Sequence, residues 1–234
     1  MVEAKEPHPV DYKKVIGTTH EPYEVELTNN GAALYSLSIG IQRDPMFTDD
    51  LKFTYEADAD FQAYPTNALT LCHRGLFTLE SKPIPGMKYN PMMLLHGEEK
   101  VTFYEPLTPG ETYVCEEVIA DIKDKKKGAA ILLDTKVLEK ETRKMCALIR
   151  TNVFIRGIGG FGYKGTIKEK IPKPPQTAPD FVGTETMHAN AANLYRLNGD
   201  KNPLHVDPKM AAVGKFDKPI LHGLCTYGMS VRAV

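Results

Sequence analysis

Three side chains that move protons or form hydrogen bonds fall within six positions, in the segment Tyr195-Arg-Leu-Asn-Gly-Asp-Lys-Asn-Pro-Leu-His205. They are Asp200, Asn202 and His205. A carboxylate and an imidazole within reach of one water molecule can orient and deprotonate it, and can return a proton to a neighbouring carbon. The residue types therefore suggest acid–base catalysis with water.

The spacing places these side chains on a loop rather than on one helix. Residues five apart on a continuous α-helix point about 140° from each other, and Pro203 disfavours helix at Asn202. A helix is predicted before the loop, over Ala189 to Leu197, and Asn198-Gly199 ends it. The loop is thus expected to lie between packed helices, which can turn both Asp200 and His205 inward.

Two further helices are predicted after the loop. Asp207 is a typical N-cap with Pro208 at the first helical position, and this helix is expected to reach about Val213. A last helix is predicted from about His222. Gly223 lies in its first turn, where unpaired backbone N–H groups and the helix dipole suit a carbonyl oxygen that gains negative charge.

Other interpretations of the same residues stay open at this point. Asn-Gly-Asp is a common turn, and His205 can simply bind a backbone carbonyl. Metal binding by Asp200, His205 and Asp207 is disfavoured because a single histidine with no second cluster is a poor ligand set. We therefore predict no metal. His222 is interpreted as a helix-end or packing residue, and so is His96.

Composition excludes several classes of function. The chain has 234 residues, 42% of them hydrophobic, 25% charged, with a formal net charge of −1. These values are typical of a soluble globular protein and give no reason to expect nucleic acid or an anionic membrane as partner. The N-terminus lacks a signal-peptide core, and the four cysteines form no C-x-x-C pair. An intracellular compartment is expected, and the last tripeptide, Arg232-Ala233-Val234, is not a peroxisomal address.

The first part of the chain predicts a helix followed by an antiparallel meander. Asn29 or Asn30 is a candidate N-cap for a helix to about Gly40, and residues 51–91 permit only a loose assignment. Four runs rich in β-branched and aromatic residues predict strands. They are Val101 to Leu107, Thr112 to Ile122, Ala129 to Leu138 and Lys144 to Ile155.

A glycine- and proline-rich segment follows the meander. Gly157-Ile-Gly-Gly-Phe-Gly162 matches the dinucleotide fingerprint G-x-G-x-x-G, but the proline-rich residues after it cannot open the helix that would bind a pyrophosphate. We interpret residues 157–179 as a semi-rigid linker between repeats at 1–156 and 180–234. Phe181 to Thr186 is a candidate strand in the second repeat.

Two echoes between the halves support a duplicated unit. Leu34-Tyr-Ser-Leu37 matches Leu194-Tyr-Arg-Leu197, and Leu94-Leu-His-Gly97 matches Ile220-Leu-His-Gly223, in the same order. The first unit continues into the meander, whereas the second stops at Val234 without strands. We expect either that the sequence lacks a C-terminal segment or that another chain supplies those strands, because an apolar helix face needs a sheet to cover it.

At these residues the sequence resembles the hydratase 2 family, the R-specific enoyl-CoA hydratases with a MaoC-like fold, and in particular the hydratase domain of peroxisomal multifunctional enzymes type 2. The resemblance rests on Tyr195 to His205 and on Phe216-Asp-Lys-Pro-Ile-Leu-His-Gly-Leu-Cys-Thr-Tyr-Gly228. It extends to Tyr55 to Phe61, Leu94 to Glu98 and Gly159 to Gly162, so it covers nearly the whole chain.

The resemblance implies an α+β double hot-dog fold whose second repeat lacks its C-terminal strands. It implies reversible hydration of trans-2-enoyl-CoA to (3R)-3-hydroxyacyl-CoA in fatty-acid oxidation, without a cofactor. The roles that it implies are a catalytic pair in Asp200 and His205, support from Asn202, a thioester-oxygen site at the Gly223 N–H, and substrate or CoA contacts at His96, Gly97, Lys125, Lys201, Pro203 and Leu204.

The same resemblance implies a homodimer and a peroxisomal location. Two alternatives from other classes are a non-catalytic acyl-CoA-binding hot-dog module and a hot-dog thioesterase. The intact D-x-N-P-x-H pattern at 200–205 disfavours both. For Lys125, which sits in a run of three lysines at a predicted hairpin tip, a solvated turn is the alternative to a CoA contact.

Overall fold

A computed structural model describes residues 8–73, 83–168, 171 and 173–234 of the chain. The described residues form two compact units, each assembled from separate stretches. Unit 1 draws on Met1–Val25, Arg74–Glu105 and Tyr113–Lys170, and unit 2 on Glu26–His73, Pro106–Thr112 and Ile171–Val234. The repeats predicted at 1–156 and 180–234 were inferred from similar sequence segments, whereas these units are defined by contacts in space. The repeats therefore stay a prediction.

Unit 1 is built on a five-stranded antiparallel sheet. Its strands are β1 (Tyr23–Glu26), β2 (Leu94–Phe103), β3 (Thr112–Asp124), β4 (Gly128–Glu139) and β5 (Met145–Arg156), in the order β1-β3-β4-β5-β2. Strands β3, β4 and β5 confirm part of the predicted meander, whereas β2, its predicted first strand, pairs with β5 and not with β3. The first strand of that meander, however, begins at Leu94 rather than Val101, and the register shifts between His96 and Glu98.

Unit 1 also contains the Lys125 hairpin, a short helix α1 (Tyr12–Val15) and one 3₁₀ turn (Pro91–Met93). Buried residues largely alternate with more exposed ones along β5, whereas β4 begins with six consecutive buried residues and is therefore covered on both faces there. The core cluster comprises Val10, Val15, Ile84, Met87, Ile119, Ile122, Ala129, Ile131, Leu133, Val153, Ile155 and Ile158.

The glycine-rich segment after β5 is held against unit 1 by two carboxylates. Asp124 accepts hydrogen bonds from the backbone N–H groups of Gly160 (3.0 Å) and Gly162 (2.6 Å), which lower the pKa of its carboxyl. Asp121 accepts two more from Thr166 and Ile167, each at 2.8 Å. No helix follows the glycines within the described residues 163–168, so the segment lacks the helix start that a dinucleotide site requires.

Unit 2 is helical and irregular. Its helices are α2 (Asn29–Ser38), α3 (Ala68–Leu71), α4 (Ala191–Tyr195), α5 (Pro208–Val213) and α6 (Gly223–Arg232). The predicted helices at 29, 189, 207 and 222 are thereby confirmed to within a few residues. The described residues of the unit also form 3₁₀ turns at Thr48–Phe53, Pro65–Asn67, Arg196–Asn198 and Pro203–His205. None of the described helices is long and apolar enough to cross a membrane.

Helix α2 and helix α6 share the core of unit 2. Tyr35, Ile39, Ile41, Tyr195 and Cys225 form its buried cluster. The Tyr35 hydroxyl donates to Thr66 Oγ1 at 2.8 Å, so its polar end is satisfied inside the core. The N-cap of α2 is Thr28, whose hydroxyl accepts from Gly31 N–H, and the predicted cap at Asn29 or Asn30 is therefore wrong by one or two positions.

Two further predictions require correction. Phe181 to Thr186 forms no strand, because no neighbouring strand is available among residues 173–234, and Glu185 instead forms ion pairs with Arg43 and Arg232. The second sequence echo also fails structurally. Leu94–Gly97 lies in strand β2, whereas Ile220–Gly223 leads into helix α6, so His96 and His222 are not structural counterparts.

Candidate active site

The loop that carries Asp200, Asn202 and His205 is shaped by local turns. Helix α4 passes into a 3₁₀ turn that ends at Gly199, whose φ of 124° is accessible mainly to glycine. Asn202 then caps the next 3₁₀ turn, because its Oδ1 accepts from Leu204 N–H at 3.0 Å. Asp200 Oδ1 accepts from Asn202 N–H at 3.1 Å. The backbone thus fixes the Asp200 carboxylate and uses Asn202 as its support.

His205 is oriented by a backbone carbonyl. Its Nδ1 lies 2.8 Å from the carbonyl oxygen of Ile220. A carbonyl can only accept a hydrogen bond, so the neutral ring carries its proton on Nδ1 and presents an unprotonated Nε2. This tautomer makes Nε2 a proton acceptor. The same bond joins the loop at 200–205 to the segment that leads into α6.

His222 occupies the N-cap position of α6 and lies against both partners of the predicted pair. Its ring stacks on that of His205 with centroids 3.8 Å apart and an interplanar angle of 26°. Its Nε2 lies 3.3 Å from the carbonyl oxygen of Asp200 and 4.0 Å from Asp200 Oδ2. The side chain is buried, with 1% of its surface exposed. Potential ligand atoms of Asp200, His205 and His222 all lie within 4.8 Å of one another.

Burial keeps the His222 imidazole neutral. Desolvation, followed by the charge of His205, lowers the pKa of His222 from 6.5 to about 4, although Asp200 acts in the opposite direction. The bond from Nε2–H to the Asp200 carbonyl leaves Nδ1 as the unprotonated nitrogen. That atom is buried and has no hydrogen-bond partner among the described residues.

Gly223 is the first residue of α6 and is exposed. No side chain caps this helix, so the N–H groups of its first turn keep their donor capacity and lie at the positive end of the helix dipole. Apart from its own helix and its two chain neighbours, no atom of the described residues lies within 4 Å of the position that a Cβ would take at Gly223. An acceptor atom can therefore approach the Gly223 N–H closely.

The three clustered side chains fit a metal ion poorly. A histidine nitrogen binds a metal through a lone pair that lies in the plane of its ring. The rings of His205 and His222 are nearly parallel and stacked, so their lone pairs run side by side rather than converging. Nε2 of His222 is also engaged by the Asp200 carbonyl. The geometry favours a site for water and a carbonyl group over a site for a cation.

The remaining predicted contact residues fall into two groups. Lys201 and Pro203 are exposed within the loop at 200–205, and Leu204 is half-buried, with its side chain close to Gly214. His96, Gly97 and Lys125 lie in unit 1. His96 Nε2 pairs with Glu99 at 2.6 Å, Gly97 sits at the register shift of β2, and Lys125 is exposed in the hairpin after β3. Their proposed role as CoA contacts stays a prediction.

His222 is the site residue that the sequence interpretation underestimated. Its helix-end position is confirmed, but its contacts with Asp200 and His205 were not foreseen. The sequence offered one indication of this role: His222 directly precedes Gly223, which was itself a predicted site residue. Tyr195 is fully buried, and its ring centroid lies 5.0 Å from that of His222.

Neutral burial of His222 has a consequence for stability. The pKa of this group is lower in the folded chain than in the unfolded chain, so the unfolded state binds more protons between about pH 6.5 and pH 4. Its contribution to stability is present above pH 6.5 and declines as the pH falls towards 4. We expect a loss of about 1–2 kcal/mol from this group between pH 7 and pH 5, at 1.36 kcal/mol per pKa unit.

Thermal unfolding at the two pH values, followed by circular dichroism, measures this effect. The control is His222→Phe, which removes the titrating group while keeping a ring of similar size. His205, Asp200 and His73 face the imidazole and are present in both proteins. The wild type should therefore lose more stability than the variant between pH 7 and pH 5. Equal losses in both proteins would contradict the expectation.

Comparison with known proteins identifies relatives along the whole chain. The family model described as MFE-2 hydratase 2 N-terminal domain matches residues 25–157, and the model described as MaoC like domain matches residues 170–234. A probable enoyl-CoA hydratase 2 from Dictyostelium discoideum is 39% identical over 227 residues, which are 96% of this chain and 76% of that protein.

Two other relatives extend the comparison. The peroxisomal multifunctional enzyme type 2 of Mus musculus is 38% identical, and the match covers 94% of this chain but 30% of that protein. The crystal structure of a MaoC-like dehydratase from Phytophthora capsici superposes with a TM-score of 0.78 at 32% identity, over 94% of this chain and 75% of that one. The fold is therefore α+β and hot-dog-like, similar to that of the MaoC-like dehydratases.

Proposed function

The chain belongs to the MFE-2 hydratase 2 family of MaoC-like dehydratases, which are hydro-lyases, and from this premise we propose that it hydrates trans-2-enoyl-CoA reversibly to (3R)-3-hydroxyacyl-CoA. The observation that carries the proposal is the arrangement around His205. Its Nε2 is a proton acceptor because Nδ1 binds Ile220, and potential ligand atoms of Asp200 and His205 lie within 4.8 Å of each other. We propose that one water molecule binds between these two groups.

In the proposed reaction, the Asp200 and His205 pair accepts one proton from the bound water as its oxygen forms a bond to C3 of the enoyl group. The π electrons of the C2=C3 bond move towards the thioester carbonyl, whose oxygen becomes negative. The pair then delivers a proton to C2, and the 3-hydroxyacyl thioester is complete. The step consumes only water and needs no oxidant or reductant, in keeping with general acid–base catalysis.

The Gly223 N–H is the proposed donor to the negative thioester oxygen. It belongs to a helix of ten residues whose first turn has no side-chain cap. A backbone donor at the positive end of a helix needs no reorganisation when the charge develops, which is the basis of oxyanion stabilisation. The open space beside Gly223 supports the approach of a planar thioester.

The finer parts of the assignment are proposals of the same kind. We propose that the fold is a double hot-dog, that Lys201, Pro203 and Leu204 contact the substrate, and that His96, Gly97 and Lys125 contact the CoA portion. The mouse relative is named peroxisomal, which supports a role in peroxisomal fatty-acid oxidation. A homodimer stays a prediction that sedimentation measures directly.

The test is an assay with trans-2-enoyl-CoA that follows the loss of the conjugated thioester chromophore. The product is then offered to a dehydrogenase specific for (3R)-3-hydroxyacyl-CoA. The proposal expects loss of the chromophore and oxidation of the product by that enzyme. Binding without conversion would favour an acyl-CoA-binding module, and release of free thiol would favour a thioesterase. Either result would overturn the proposal.

A further inference from the structure

We propose that His222 is a positioning residue for the hydration, which holds Asp200, His205 and the start of α6 in one arrangement. This inference rests on the proposed function. It adds a residue that touches neither the water nor the thioester in the scheme above. It starts from the fact that His222 makes a different kind of contact with each of the three proposed catalytic elements.

The first contact fixes the backbone of the catalytic loop. The Nε2–H of His222 donates to the carbonyl oxygen of Asp200 at 3.3 Å. Asp200 follows Gly199, which has a φ of 124° and belongs to the residue type with the fewest conformational restrictions. The hydrogen bond from a buried ring restrains the backbone here and sets the position of the carboxylate relative to α6.

The second contact supports the plane of His205. The two rings are stacked with centroids 3.8 Å apart, while His205 Nδ1 is bound to Ile220. The hydrogen bond at Nδ1 and the stacked neighbour both restrict rotation of the ring about its Cβ–Cγ bond. Together the two contacts aim Nε2 of His205 in one direction. The third contact is covalent, because His222 precedes Gly223 in the chain.

An unsatisfied atom argues that His222 is retained for more than packing. Its Nδ1 is buried without a hydrogen-bond partner among the described residues, and a buried polar atom that lacks a partner lowers stability. A phenylalanine has a similar ring and carries no such atom. If position 222 served packing alone, phenylalanine would suit it better than histidine. The hydrogen bond to the Asp200 carbonyl, however, needs the Nε2–H of an imidazole. Proteins retain such costs at functional sites.

Two substitutions separate the donor from the ring. His222→Phe keeps an aromatic face and removes the Nε2–H donor, whereas His222→Gln keeps a donor of similar reach and removes the ring. Each variant is assayed for kcat, KM and Tm in the intact chain. His188→Gln is the matched control, because His188 is exposed in unit 2 and its side chain lies outside the proposed machinery.

We expect His222→Phe to lower kcat by at least about tenfold with little change in KM, because small displacements of catalytic groups can cost up to about 10²-fold. Its Tm should equal or exceed that of the wild type. His222→Gln should have the lower Tm of the two and the higher kcat. The variant with the higher Tm would then have the lower kcat. If His222 served packing alone, the more stable variant would also be the more active one.

The opposite ranking would overturn the inference. If kcat follows Tm, so that His222→Phe is at least as active as His222→Gln, the imidazole serves packing alone. If His222→Phe hydrates the substrate as fast as the wild type, the inference fails and the proposed function stands. If the wild-type protein does not hydrate trans-2-enoyl-CoA, the proposed function and the inference fail together.

Discussion

Replacement of Asp200 by asparagine is expected to lower kcat for hydration by about 10²- to 10⁴-fold, the usual contribution of a general acid or base. The variant retains an oxygen that accepts from Asn202 N–H, so the turn around the site should persist. It loses the negative charge and the proton acceptor. KM and Tm should therefore stay close to the wild-type values, and steady-state kinetics with thermal unfolding measures both.

The matched control is Asp207→Asn. Asp207 lies seven positions further along the same segment and caps α5 by accepting from Lys209 N–H. Asparagine caps a helix as well as aspartate does, so this variant should retain full activity. Equal activities of the Asp200→Asn and Asp207→Asn variants would remove Asp200 from the mechanism.

A second variant tests whether Asp200 and His205 act on one water. His205→Gln alone should lower kcat about as much as Asp200→Asn does, because removal of either group leaves the water with only one of its two partners. Residues that act as a unit show strongly non-additive losses. The double variant should therefore be little worse than either single one. Multiplied losses would indicate two independent roles.

Replacement of Gly223 by proline is expected to lower kcat by about 10²- to 10³-fold, the usual cost of one oxyanion donor. Proline removes the backbone N–H of residue 223, which makes no hydrogen bond within the helix because it lies in the first turn. It is favoured at the first helical position, which Gly223 occupies. His222 already has φ −60° and ψ 134°, a conformation that a residue before proline adopts readily. The helix and the Tm should survive.

Gly223→Ala is the control for the added atoms. It retains the N–H, and its Cβ enters space that is open in the unliganded chain. Alanine should leave kcat largely intact, and any rise in KM would report how closely the substrate passes. The measurement is the ratio of kcat between the proline and alanine variants. A ratio near one would show that the Gly223 N–H does not stabilise the transition state.

The elements of this fold differed in how well the sequence predicted them. Helix α5 was predicted to the residue, since Asp207 and Pro208 are strong local start signals. Strand β2 was predicted seven residues too late, because Leu94 to Lys100 mixes polar residues and a glycine, and only the long-range pairing with β5 makes it a strand. Phe181 to Thr186 has a strand-like composition but lacks a pairing partner.

The site shows the same division between local and long-range information. The turn that orients Asp200 and Asn202 is encoded within six residues, so local spacing was sufficient to propose it. The stacking of His222 on His205 depends on the path of residues 206–221, which no local pattern specifies. Similarly, the second sequence echo suggested a common role for His96 and His222 although one lies in a strand and the other precedes a helix.

The most direct test of the central claim is a single turnover assay in water labelled with ¹⁸O. The account predicts that trans-2-enoyl-CoA becomes (3R)-3-hydroxyacyl-CoA with one labelled oxygen on C3 and the thioester intact, as mass spectrometry of the product will show. Label in a free carboxylate, with CoA released as the thiol, would contradict hydration. Recovery of bound but unchanged enoyl-CoA would contradict catalysis by Asp200 and His205.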